Sequence, residues 1–237
     1  MGTQKEPYER AMVVVAHPDD AEFGCSGTVA RWCRAGVEVV YVLVTDGSKG
    51  SDDKNLTPIR LSEIRKQEQI AAGEVLGLRD IVFLGYPDGY LEPTLDVRKD
   101  ISREIRKFRP DVLITTNPVR NLVGTGYIGH PDHFAAGEAA LSAVYPAARD
   151  HLTFPDLFDE GFEPHKVREV LIMGHSQPDK WVNVTDTIDV SIEALLLHIS
   201  QFSDPQEVAK RVRGWKSEAG KPIEMEYAEA FKSFIIM

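Results

Sequence analysis

The stretch Met12-Val13-Val14-Val15-Ala16-His17-Pro18-Asp19-Asp20 passes, within nine positions, from five apolar residues to four that are polar or turn-forming. Three consecutive valines make the first half a β-branched run too short for a helix, and the proline that follows ends it. A strand with no polar alternation is buried on both faces, which is the habit of a parallel sheet covered by helices.

Reading outward from this strand, apolar runs and helical patterns alternate. The pattern predicts a helix over 28–35 ended by Gly36, a strand over 37–44 ended by Asp46-Gly47, and a helix over 58–76 closed by Gly77. It continues with a strand over 81–84, a helix over 96–108, and a strand over 112–115 after Pro110-Asp111. A loop over 118–129 leads to a helix over 132–148; strands over 167–173 and 181–184 and a helix over 188–201 follow. Residues 151–165 read as an irregular connection that could line a pocket rim. The expected fold is therefore α/β: one Rossmann-like domain spanning 1–237, with a mostly parallel sheet and helices on both faces. Ligands of such sheets sit in the crevice beyond the carboxyl ends of the strands, where His17 falls.

The chain has 237 residues, 43% of them hydrophobic and 27% charged, so a sizeable core can form without a metal or disulfide to hold it. Lys plus Arg number 27 against 37 Asp plus Glu, a formal net charge of -10, which argues against general binding to nucleic acid or an anionic membrane. Cys25 and Cys33, about two turns apart on one helix, are too distant for a disulfide and read as buried small hydrophobes. No apolar stretch approaches the length of about 20 residues that spans a bilayer, and the N-terminal apolar run is too short for a signal peptide. The expected location is the cytoplasm.

Two clusters carry chemistry. His17, Asp19, Asp20 and Glu22 crowd the exit of the first strand, and His130-Pro131-Asp132-His133 marks a loop-to-helix junction. Imidazole and carboxylate are the ligands of catalytic zinc, which takes three protein groups and keeps a position for water. A polar turn with an Asp cap would account for the first cluster by itself. Two histidines and an aspartate within four residues exceed what a cap needs, so the pair of clusters points to a mononuclear metal site. Asp46 and Asp88 each precede glycine and read as turn residues, and His198 reads as a packed helix residue.

The run from Val13 through His17-Pro18-Asp19-Asp20-Ala21-Glu22-Phe23-Gly24 to Thr28 resembles the opening motif of the LmbE-like, or PIG-L, zinc-dependent de-N-acetylases, which include the deacetylases of bacillithiol and mycothiol pathways. His130-Pro131-Asp132-His133 resembles that family's other motif. Agreement extends to Thr45-Asp46-Gly47, to Glu63 through Glu68 with Leu76-Gly77, to Pro87-Asp88-Gly89, and to the late segments around Ala194-Leu195, His198 and Tyr227 to Phe231.

The resemblance implies that His17, Asp20 and His133 hold zinc and that Asp19 is the general base. It makes His130 the acid or oxyanion partner, with Asp132 holding its ring and favouring its charged form, and it makes Arg65 a substrate contact. It further implies hydrolytic removal of an N-acetyl group from an N-acetylglucosamine-type sugar or conjugate, and allows a homo-oligomer; the alternative reading is a metal hydrolase of another amide, or of a phosphoester, which the single ligand set disfavours. Departures are Ser26-Gly27 for a double glycine, Ser191 where a lysine is usual, and Gly129 where some relatives carry arginine. A nucleotide-binding module is disfavoured, because neither G-x-G-x-x-G nor a Walker lysine follows the first strand. No G-x-S-x-G elbow supports a serine hydrolase.

Overall fold

A computed structural model describes residues 6–122 and 127–236; residues 123–126 of the expected 118–129 loop lie outside the described residues. Seven strands form one sheet: β1 (Arg10–Val15), β2 (Glu38–Thr45), β3 (Asp80–Tyr86), β4 (Val112–Thr116), β5 (Glu169–Met173), β6 (Lys180–Asn183) and β7 (Ala228–Ile235). Their order is β3-β2-β1-β4-β5-β7-β6. β1 to β5 are parallel, and β7 runs antiparallel to both β5 and β6. The order reverses between β1 and β4, and it is there that an open sheet of this kind leaves its crevice.

The helices are α1 (Asp20–Gly24), α2 (Ser26–Arg34), α3 (Pro58–Leu76), α4 (Leu95–Phe108), α5 (Pro131–Ser142), α6 (Pro155–Asp159), α7 (Ile188–Leu196) and α8 (Pro205–Gly220). Because successive side chains of a strand point to opposite faces, β1 feeds two cores. Val13 and Val15 pack with Val29, Trp32, Ala72 and Ala194 on the side of α2, α3 and α7. Met12, Val14 and Ala16 pack with Val97, Ile101, Ala136 and Ala140 on the side of α4 and α5. No helix among the described residues is long and apolar enough to cross a membrane.

Three expectations need correction. The helix predicted over 132–148 ends at Ser142, because Pro146 has no N–H to continue it and forces Tyr145 into an extended conformation (φ −141°, ψ 121°). The helix predicted over 188–201 ends at Leu196, followed by a short 3₁₀ turn at Ile199–Gln201. The irregular connection contains α6, and Arg106 of α4 ties the chain before it down by donating to the carbonyls of Ala147, Ala148, Asp150 and Thr153. Cys25 and Cys33 are both free, and Cys25 lies at the junction of α1 and α2.

The strand β7, which periodicity does not predict, enters the sheet between β5 and β6 and braces the first motif. Glu229 on β7 accepts the N–H groups of Gly27 (2.9 Å) and Thr28 (2.7 Å), capping α2 with a carboxylate where its dipole favours one. Lys216 of α8 is buried against Glu229 and donates to Ser191 Oγ at 2.7 Å. An ammonium group is thus delivered from another helix beside Ser191, where the resemblance implies a lysine.

Glu169 of β5 binds the N-terminal segment to the sheet, accepting from Tyr8 Oη (2.5 Å), Lys180 Nζ (2.7 Å) and Ser233 Oγ (2.6 Å). Burial pushes its pKa up, but these donors outweigh burial and hold the carboxyl below its ordinary value. A depressed folded-state pKa stabilises above the unfolded value of about 4.3, and that contribution disappears as pH falls through the folded value. Glu169→Gln is therefore expected to cost about 1 kcal/mol at pH 7, the group being partly solvated. The difference should shrink as pH falls from about 4 through the folded value, as followed by chemical denaturation across pH; a constant difference would refute the ionic origin.

Candidate active site

Each cluster is placed by the end of a strand. His17 leaves β1 where Thr45 of β2 donates through N–H and Oγ1 to the Ala16 carbonyl. Asp20 folds back so that Oδ2 accepts the His17 N–H at 2.9 Å. Across the switch point, Thr116 at the end of β4 donates Oγ1 to the His133 carbonyl at 2.6 Å. Gly137 permits this approach, since a Cβ there would stand 2.4 Å from the Thr116 carbonyl oxygen. α5 is thereby pressed against the strand end that presents His133.

The two clusters meet. His17 Nδ1 lies 3.2 Å from His133 Nε2 and 3.6 Å from Asp20 Oδ2, and His133 Nε2 lies 3.0 Å from Asp20 Oδ1. Ligands about 2.1 Å from a tetrahedral zinc ion stand about 3.4 Å apart, so these spacings fit such an ion. The opposite nitrogen, His17 Nε2, faces Asp88 Oδ1 at 3.0 Å and Asp132 Oδ2 at 3.2 Å. Carboxylates on that side hold the Nε2 proton and orient the ring so that Nδ1 faces Asp20 and His133. His130 also approaches: His17, His130 and His133 offer nitrogens within 4.8 Å of one another, as do His17, Asp88, His130 and Asp132 with their ligand atoms.

Asp88, read above as a turn residue, is thus part of the site. Its Pro87-Asp88-Gly89 turn follows β3 and therefore faces the same crevice, a placement that, with the resemblance at this turn, could have identified it. Asp46 does act in a turn, its Oδ1 accepting from Ser48 N–H (3.0 Å) and Asp88 N–H (3.2 Å).

Asp132 differs from expectation. Its carboxylate is 3.9 Å from His130 Nδ1 and instead accepts from Gly89 N–H (2.7 Å) and Leu91 N–H (3.2 Å) while facing His17. What bonds the His130 ring is the Asp132 backbone N–H, which donates to Nδ1 at 3.2 Å and makes His130 the cap of α5. Nor is the imidazole held charged. Burial and the charge on His17 push the His130 pKa below its usual value, outweighing the attraction of Asp132.

Asp19 occupies the N-cap of α1 with φ 94°, yet its side chain makes no capping hydrogen bond. Its carboxylate is left to face Arg65, whose Nη2 is 3.4 Å from Oδ2. Arg65 does not lie on a solvated face. It is buried, and it donates to the carbonyls of Gly47 (3.0 Å) and Pro18 (2.6 Å). Burial raises the Asp19 pKa, opposed by Arg65 and reinforced by the charge of Asp20.

Near it His17 and Asp88 are charged. Burial opposes ionisation of His17, but hydrogen bonds to Asp132, Asp20 and Asp88 push its pKa up to about 12. Asp88, despite burial, is held down at about 2 by the His17 hydrogen bond and the Lys49 N–H. Three carboxylates gathered on one buried imidazole form a site whose electrostatics favour a cation. His198 is fully buried, as its packed reading anticipates, at the turn that follows α7.

Residues 12–144 match the family model described as PIG-L, GlcNAc-PI de-N-acetylase. Diacetylchitobiose deacetylase of Thermococcus kodakarensis is 34% identical over 206 residues, covering 86% of this chain and 74% of that protein. A probable N-acetyl-alpha-D-glucosaminyl L-malate deacetylase 2 of Bacillus anthracis is 28% identical, covering 84% of each chain. Among solved structures, N,N'-diacetylchitobiose deacetylase from Pyrococcus horikoshii, complexed with an inhibitor, superposes with a TM-score of 0.90 at 28% identity, covering 97% of this chain and 85% of that one. Fold, motifs and coverage agree, and the chain belongs to the PIG-L family of de-N-acetylases.

Proposed function

We propose that this protein is a zinc-dependent hydrolase that removes the N-acetyl group from an N-acetylglucosamine-type sugar or a small conjugate of one. The observation that carries the reading is the convergence of His17, Asp20 and His133 beside a carboxylate, Asp19, that is not engaged in capping. His17, Asp20 and His133 are the residues that would hold the zinc ion. When bound, such an ion makes water acidic enough to be a nucleophile near neutral pH and polarises a carbonyl.

The chain's own groups supply the rest. Asp19 takes the proton of the attacking water and returns it to the leaving amine, which must be protonated to depart. Arg65 opposes the burial that raises the Asp19 pKa and orients its carboxylate. Lying beside Asp19, its guanidinium would meet the acetamide end of a substrate, in keeping with the substrate contact that the resemblance implies. His130, with Nδ1 occupied as an acceptor, carries its proton on Nε2 and can donate it to the oxygen that becomes negative during attack. Asp132 and Asp88 fix the His17 ring.

Acetate release should be measured from N-acetylglucosamine, diacetylchitobiose and N-acetylglucosaminyl conjugates bearing malate or inositol. The expected result is turnover of at least one of these amides. Failure on all four, with hydrolysis of an unrelated amide, would move the assignment to an amidase of other specificity.

A further inference from the structure

Three fully buried polar side chains beneath the site have no part in this chemistry: Glu22 on α1, Gln69 on α3 and His198 in the turn after α7. Burying a carboxylate, a carboxamide and an imidazole together is costly unless they are paired, and apolar groups would fill the same space. They form a chain that ends on Asp19. The Asp19 N–H donates to Gln69 Oε1 at 3.2 Å, Gln69 Nε2 donates to Glu22 Oε1 at 3.0 Å, and Glu22 Oε2 stands 3.3 Å from His198 Nε2.

The chain has a direction. A backbone N–H can only donate, so Asp19 takes the carbonyl side of Gln69 and leaves its NH₂ side for the Glu22 carboxyl oxygen. The partner of Gln69 one turn earlier on α3 is Arg65, which donates to the Pro18 carbonyl at 2.6 Å. The Pro18 C=O and the Asp19 N–H belong to one peptide unit. Arg65 and Gln69, four residues apart on one helix face, therefore grip both polar ends of a single peptide plane. That plane sets the φ of Asp19, which at 94° is a conformation residues with a Cβ rarely adopt.

We propose that Gln69 is a positioning residue: with Arg65 it clamps the Pro18–Asp19 peptide, and Glu22, backed by His198, holds its NH₂ side, so that the Asp19 carboxylate stays aimed into the site. The inference rests on Asp19 being the base.

The test compares Gln69→Leu, Gln69→Glu and the exchange Glu22→Gln/Gln69→Glu in the full-length, metal-loaded enzyme, with Asp19→Asn as reference. Gln69→Leu is expected to lower kcat about ten- to a hundredfold, the scale of a misplaced catalytic group. KM should stay within about twofold, since uniform substrate binding is untouched. Metal content should be unchanged, and hydrogen exchange at the Asp19 amide should accelerate. Gln69→Glu sets two carboxylates face to face and is expected to be as impaired. The exchange restores donor and acceptor in order and should recover kcat to within about threefold of the parent.

Unchanged kcat in Gln69→Leu beside an inactive Asp19→Asn overturns the clamp and leaves the base assignment standing. An exchange variant no better than Gln69→Glu also overturns it, reducing the contacts to packing. An active Asp19→Asn overturns the base assignment instead, and Asp19 amide exchange in Gln69→Leu then decides the clamp alone: acceleration supports it and unaltered protection refutes it.

Discussion

Asp19→Ala is expected to lower turnover by about 10² to 10⁴-fold, the range of a lost general base, while the protein keeps its metal. The geometry separates the two outcomes. Asp19 lies beside the His17, Asp20 and His133 donors but faces Arg65, and it makes no cap bond whose loss would unravel α1. An alanine at φ 94° would add some backbone strain, so Asp19→Asn, which tolerates that region better, is the control for stability. Turnover and elemental analysis on the same preparations check the point. Loss of metal from both variants would move Asp19 into the ligand set.

His133→Ala is the second large effect and should fail differently. Removing one of three ligands is expected to strip the metal and to abolish activity, at least about a thousandfold. The helix that carries it should survive, because the cap of α5 belongs to His130 and the His133 side chain is 26% exposed. His130→Ala provides the contrast. If His130 acts on the developing oxyanion, turnover falls by about 10² to 10³-fold with metal retained. Since His130 also lies within ligating reach of His17 and His133, metal content in the two variants identifies which imidazole completes the site. Metal lost from His130→Ala and kept in His133→Ala would reverse the assignment.

The half of the sheet that builds the crevice is legible in the sequence, and the other half much less so. β1, β2 and β4 are continuous apolar runs because both of their faces are covered, and their punctuation by Pro18, Gly47 and Pro110 marks the ends. β7 carries no such signal. The charges of Glu229 and Lys232 interrupt its apolar pattern, and Glu229 is buried by its ties to Lys216 and the start of α2. Partners 13 and 202 residues away cannot be read from local pattern.

The same division holds in the site. His17, Asp20, His130 and His133 announce themselves by density of ligating groups. Asp88 is disguised because an aspartate before glycine is sufficiently explained by a turn. Asp132 is legible as a site residue but not in its contacts, since adjacency to His130 in sequence says nothing of where a buried carboxylate turns. Arg65 sits in a helix so rich in charge that burial of one guanidinium is invisible without the fold.

The account stands most directly on a single measurement: acetate release from diacetylchitobiose and N-acetylglucosaminyl malate before chelation, after chelation, and after return of one equivalent of zinc. The predicted result is activity on at least one of them that chelation abolishes and zinc restores, with the protein folded throughout because the core does not depend on the ion. Acetate release that persists in protein shown to contain no metal would contradict it.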